Sequence, residues 1–213
     1  MAREGEGPHV KICGVTTVDD ALMCVELGAS AIGLNFVRES PRRITAERAR
    51  QISRAVGDRA LVVGVIAGLD VDDARTLVSD AGLGCLQLHG DETPETLAGL
   101  LPHAYKALRV ASAADVARAA DYAGEYLLVD AKVDGALGGT GHTFDWSLVT
   151  DLAAARKLTL AGGLTPENVA EAARAVRPFC VDVASGVELA PGRKDPARVR
   201  AFVEAARAVS YRQ

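Results

Sequence analysis

Lys11-Ile12-Cys13-Gly14 is a short stretch that stops on a thiol and then turns on a glycine. A second apolar run, Tyr126-Leu127-Leu128-Val129, stops on Asp130, 117 positions after Cys13. A thiol and a carboxyl, each ending a strand, can move protons at a sugar: one takes a proton from carbon, the other gives one to oxygen. A free thiol has a pKa near ~8.5, so only a few per cent is thiolate at neutral pH. Lys11 lies two positions before Cys13 and points to the same face of an extended strand. An ammonium at ~7 Å, in an effective dielectric of ~20, is worth about 2 kcal/mol, so Lys11 is expected to lower the thiol pKa by over one unit. Burial at the end of an apolar run is expected to raise the pKa of Asp130 toward that of a useful acid. The plainer alternatives are a small buried hydrophobe for Cys13, and a helix cap or partner of Lys132 for Asp130. Cys24, Cys85 and Cys180 fit the buried-hydrophobe description.

Three glycine-bearing loops are suited to an anion: Gly138-Gly139-Thr140-Gly141, Gly162-Gly163 and Ser185-Gly186. Glycines let backbone N–H groups come close to an anion, and a helix N-terminus adds a favourable dipole. The same glycines would also serve simple tight turns. Gln87 and His89 share one face of a strand by period two, as ligand contacts or as a polar strand end. Ser40-Pro41-Arg42-Arg43 supplies a guanidinium fork of the kind that grips a carboxylate with two hydrogen bonds. Arg43 reads as a solvated loop charge, and local sequence leaves Arg42 open.

Such residues need strands to carry them. Apolar runs at 9–13, 31–36, 60–66, 85–88, 104–108, 126–130, 158–161 and 180–184 alternate with Ala-rich stretches of helical period. Helix starts are marked by capping side chains: Thr16, Thr45, Asp70, Thr93, Ser112, Asp145, Thr165 and Asp195. Pro94, Pro166 and Pro196 follow three of these caps, where proline suits the first helical turn. Strict alternation implies a parallel sheet. Eight units in 213 residues imply a single-domain (β/α)8 TIM barrel, with a doubly wound open sheet as the alternative. The barrel would span 9–213 behind an eight-residue N-terminal extension, closed by a last helix over 195–210. In such a barrel the strand C-termini form the active face, and loops seven and eight form the usual phosphate site.

Composition narrows the function. The net charge of −4 argues against nucleic-acid binding, which wants a basic footprint. Four scattered cysteines form no zinc pattern and suit a reducing compartment. No apolar run approaches the ~20 residues of a membrane span, and the polar N-terminus has no signal-like core. A cytoplasmic protein without a membrane partner is expected.

In combination and order, several segments resemble the phosphoribosylanthranilate isomerase family of tryptophan biosynthesis. They are Val10-Lys11-Ile12-Cys13-Gly14, Ser40-Pro41-Arg42, Gln87-Leu88-His89-Gly90, Leu128-Val129-Asp130, Gly138-Gly139-Thr140-Gly141 with Phe144-Asp145-Trp146, Ala161-Gly162-Gly163-Leu164 with Pro166-Glu167-Asn168-Val169, and Val181-Asp182-Val183 with Ser185-Gly186-Val187-Glu188. The resemblance implies an Amadori rearrangement of N-(5-phosphoribosyl)anthranilate, with no metal and no organic cofactor, by a monomer or homodimer. It further implies Cys13 as general base, Asp130 as general acid, and Arg42 at the anthranilate carboxylate. Gly162, Gly163, Ser185 and Gly186 would hold the phosphate. Lys11, Gln87, His89 and Asp182 would complete the pocket. The chain departs from the family pattern at Ile66-Ala67-Gly68, at Ala184 in place of a common serine, and at Arg43. Two alternatives remain: the related histidine-pathway aminoaldose isomerase, whose family has an aspartate where Cys13 stands, and a non-catalytic phosphate-binding barrel.

Overall fold

The structure, a computed structural model, describes residues 7–131 and 145–211. Its parallel strands are β1 (His9–Cys13), β2 (Ala31–Asn35), β3 (Leu61–Ile66), β4 (Cys85–Leu88), β5 (Ala104–Val110), β6 (Tyr126–Ala131), β7 (Lys157–Leu160) and β8 (Cys180–Val183). They close into a barrel in sequence order. β1 pairs with β8, Lys11 opposite Asp182, which completes the ring and excludes an open sheet. Alternation along each strand divides the side chains. Val10, Ile12, Ile32, Leu34, Leu86 and Leu88 belong to the main apolar core. Ala31, Val63, Tyr105, Ala107, Leu128 and Ala161 form a separate cluster that fills the barrel.

The helices are α1 (Val18–Glu26), α2 (Ala46–Val56), α3 (Val71–Ala81), α4 (Pro94–Leu100), α5 (Ala113–Ala117), α6 (Thr150–Ala155), α7 (Val169–Val176) and α8 (Pro196–Arg207). Thr45, Asp70, Thr93, Ser112 and Asp195 cap them as expected, and Ser112 with Asp115 forms a reciprocal capping box. Asp145 caps a 3₁₀ turn that leads into α6.

Two caps differ. Thr17, not Thr16, accepts from Asp20 N–H, because the adjacent threonines offer the same spacing and Thr16 Oγ1 instead donates to the Gly192 carbonyl at 2.7 Å. Thr165 opens a turn in which its own N–H donates to Asn168 Oδ1 at 2.8 Å, so α7 starts only at Val169. α8 ends at Arg207, short of the expected 210.

The sequence pattern also missed a small antiparallel hairpin between β8 and α8. Its strands are β9 (Glu188–Ala190) and β10 (Arg193–Lys194), too short to show periodicity. α8 closes the ring by burying Val199, Phe202, Val203 and Ala206. Phe202→Ala is therefore expected to cost about 3–5 kcal/mol in denaturant unfolding. A loss below ~1 kcal/mol would show that α8 adds little to the core.

Candidate active site

The C-terminal ends of the strands surround a cavity of about 390 Å³. Cys13 and Asp130 both form part of its wall, so the thiol and the carboxyl face one shared space. Cys13 ends β1 and is followed by Gly14, whose φ of 73° turns the chain away from the strand. Gly33 lies across on β2. A Cβ there would sit 2.7 Å from Cys13 Sγ, so a side chain would displace the sulfur. Asp130 lies near the end of β6 and is 5% exposed.

A buried polar layer crosses the barrel under this cavity. Lys11 Nζ lies 3.0 Å from Asp182 Oδ1 and donates to Gln87 Oε1, also at 3.0 Å. The Tyr105 hydroxyl donates to the same Gln87 oxygen at 3.1 Å. Gln87 Nε2 meets His89 Nδ1 at 2.8 Å, and His89 Nε2 stands 3.5 Å from Asp130 Oδ2. Burial pushes the His89 pKa down to about 4, helped by the cations Lys11, Lys106 and Arg109 and opposed by Glu92. The imidazole is neutral at physiological pH. Burial also works against the charge on Lys11, but Asp182, Cys13 and Tyr105 together outweigh it and hold the ammonium pKa well above its ordinary value.

Burial outweighs Lys11, which does lower the thiol pKa as expected. Burial pushes the Cys13 pKa up; Lys11 and Lys194 pull it down, and Asp182 pushes it up again. The net direction is upward. Desolvation of a thiolate at 9% exposure is the largest effect, and Asp182 offsets part of the pull of Lys11.

Arg42 lies on the cavity wall with its fork turned to Glu188. Nε donates to Oε1 at 2.9 Å, and Nη2 to Oε2 at 2.7 Å. One edge of the guanidinium is thus occupied, and the edge between the two Nη groups is the geometry left for a second carboxylate. Lys194, fully buried, holds Glu188 from the other side at 2.8 Å and also donates to the carbonyls of Cys13 and Ala184, at 2.6 and 3.1 Å. Burial pushes the Glu188 carboxyl up, but Arg42 and Lys194 outweigh it and hold the pKa below its ordinary value. This hairpin carboxylate, through Lys194, ties Arg42, Cys13 and the eighth loop into one frame.

Gly162 and Gly163 line the cavity with φ of 90° and 65°, values that a side chain disfavours. Ser185 lines it too. Gly186 is not on the wall; a Cβ there would overlap the Leu164 carbonyl, so this glycine permits loops seven and eight to touch. Arg198 Nε donates to the Gly186 carbonyl at 2.8 Å and steadies that contact. Lys11 likewise lies below the wall rather than in it, whereas Gln87, His89 and Asp182 line the cavity. Gly138-Gly139-Thr140-Gly141 lies outside the described residues. Among the described residues, no group of three or more His, Cys, Asp or Glu side chains is placed to hold a metal ion.

Sequence reasoning assigned no role to Glu188, Lys194 or Tyr105. Glu188 lay within a quoted segment, and its acidic side chain just after the Ser-Gly loop was the available signal. Lys194 offered none, since its partners lie up to 181 residues away.

A model of the family described as N-(5'phosphoribosyl)anthranilate (PRA) isomerase matches residues 10–205. The N-(5'-phosphoribosyl)anthranilate isomerase of Pseudomonas aeruginosa (strain LESB58) is 48% identical over 202 residues, covering 93% of this chain and 95% of the relative. That of Citrifermentans bemidjiense is 43% identical over 201 residues, covering 94% and 98%. The crystal structure of the Thermotoga maritima phosphoribosyl anthranilate isomerase superposes with a TM-score of 0.88 at 38% identity, over 95% of this chain and all of that one. A structure of such an isomerase in complex with reduced 1-(o-carboxyphenylamino)-1-deoxyribulose 5-phosphate gives a TM-score of 0.84 at 36% identity, again over 95% and 100%.

Proposed function

The chain belongs to the N-(5'-phosphoribosyl)anthranilate isomerase family, and from that membership we propose an assignment of roles within its cavity. It is an isomerase of tryptophan biosynthesis that carries out the Amadori rearrangement of N-(5-phosphoribosyl)anthranilate to 1-(2-carboxyphenylamino)-1-deoxyribulose 5-phosphate. Asp130 protonates the ribose ring oxygen, and the ring opens to a Schiff base. Cys13 then removes the proton on C2′, and the resulting enolamine tautomerises to the ketone. Each proton transfer by a placed group is worth ~10²–10⁴ in rate. The observation that carries this assignment is the placement of both groups on the wall of one cavity. Direct assay with freshly prepared phosphoribosylanthranilate tests the reaction, and the absence of turnover would reduce the chain to a phosphate-binding barrel.

The cavity also offers two anchors for orienting the sugar. Gly162, Gly163 and Ser185, with Gly186 beneath them, are assigned to the phosphate. The edge of Arg42 between its two Nη groups, which makes no hydrogen bond among the described residues, is assigned to the anthranilate carboxylate. A charge-assisted bidentate contact of this kind contributes about 1.5–3 kcal/mol. Arg42→Ala is therefore expected to raise KM by about 10- to 100-fold, with a smaller change in kcat. Steady-state kinetics at saturating substrate separate the two, and an unchanged KM would remove Arg42 from the carboxylate site.

The remaining assignments concern partners and place. Among the described residues no helix is long and apolar enough to cross a membrane. The four cysteines are all free thiols, as a reducing compartment would keep them, and the chain is assigned to the cytoplasm. A net charge of −4 fits a small phosphorylated substrate better than a nucleic acid. The Thermotoga maritima isomerase is dimeric, and monomers have been generated from it; a monomer or homodimer is assigned to this chain.

A further inference from the structure

The polar layer below the cavity determines one proton position. Lys11 Nζ is donor-only, so the Gln87 atom 3.0 Å from it must be the amide oxygen. That choice turns the Gln87 NH₂, also donor-only, toward His89 Nδ1 at 2.8 Å. Nδ1 must accept, and a neutral imidazole then carries its proton on Nε2. Protonation of Nδ1 would set two N–H groups against each other in a buried site, which adds to the burial and the nearby cations that already keep the ring neutral. The strand holds the ring in place: His89 N–H donates to the Ile66 carbonyl at 2.8 Å, and Gln87 pairs in register with Tyr105 on β5. The ring therefore points Nε2–H at Asp130 Oδ2, 3.5 Å away. At that distance Nε2 makes no hydrogen bond among the described residues.

We infer that Gln87 is a positioning residue that sets the His89 tautomer, and that His89 Nε2–H orients the Asp130 carboxyl during ring opening. The inference rests on the assignment of Asp130 as the acid. Contacts that are long without substrate commonly tighten in the reacting complex, and 3.5 Å is within that range. As Asp130 gives up its proton, the carboxylate left behind gains an N–H donor, which favours the transfer. The opposite tautomer would face that carboxylate with a nitrogen lone pair and oppose it.

The test is nitrogen-15 NMR of the full chain, whose four histidines make the assignment tractable. The native protein is expected to show His89 as the neutral Nε2–H tautomer across the neutral pH range. Gln87→Glu replaces the donor by an acceptor and is expected to move the proton to Nδ1. With that switch, kcat should fall about 10- to 100-fold while KM stays within ~3-fold. A native Nδ1–H tautomer or imidazolium overturns the inference. So does a folded Gln87→Glu variant whose tautomer does not move, or one whose tautomer moves with kcat retained. If Gln87→Glu does not fold, Gln87→Met removes the donor without adding charge. It should populate Nδ1–H and lower kcat, and unchanged kcat overturns the inference equally. Asp130→Asn separates the underlying assignment: full turnover in that variant removes the acid itself, whatever the histidine does.

Discussion

Cys13→Ala is expected to lose about 10²-fold or more in kcat while the barrel stays folded. That loss corresponds to about 2.7 kcal/mol or more of transition-state stabilisation. The thiol sits at the end of β1 on the cavity wall, and alanine keeps the apolar packing with Val37 and Val65 while removing the only basic atom at that position. The raised pKa adds a pH signature. Burial holds the thiol mostly protonated at neutral pH, and in the proposed role Cys13 would act as thiolate. The wild-type rate should therefore rise with pH, approaching tenfold per unit until the thiol titrates, and this limb should vanish in Cys13→Ala. Turnover within ~3-fold of wild type would remove Cys13 from the mechanism.

Asp130→Asn should be comparably damaging, again about 10²-fold or more in kcat. Asparagine has nearly the same shape and remains an acceptor for His89, so packing and orientation are retained. What it lacks is a transferable proton of suitable acidity. KM should change only a few-fold, because neither the phosphate loops nor Arg42 is touched. Single-turnover measurement of ring opening checks this directly, and a normal rate for that step would place the acid elsewhere in the cavity.

Much of the fold was legible along the chain. Each strand in the ring matches an apolar run to within about two residues, because inward and outward side chains are both buried in a barrel and leave an unbroken hydrophobic signal. The adjacent Thr16 and Thr17 misled the cap assignment, since local spacing fits both and the choice depends on Gly192, far along the chain. The β9–β10 hairpin was missed for a similar reason: its strands are shorter than any period. In the site, Cys13, Asp130 and the Gly162-Gly163 turn stood out by their positions at strand ends. Glu188 and Lys194 did not, although they hold Arg42 and the carbonyl of Cys13 in place.

The order of strands and helices, and the end of each strand to within about two residues, belong to the chain itself, because periodicity and capping are local. Which of those residues meet was decided only by closure of the ring. Lys11 met Asp182 on the neighbouring strand and Gln87 across the barrel, so a carboxylate partner offsets part of its pull on the thiol of Cys13. The direction of the Cys13 pKa reversed chiefly because burial raises it by more than Lys11 and Lys194 lower it, with Asp182 adding to the rise. Burial and charge pairing depend on what surrounds a group in space, and only the folded chain has such surroundings.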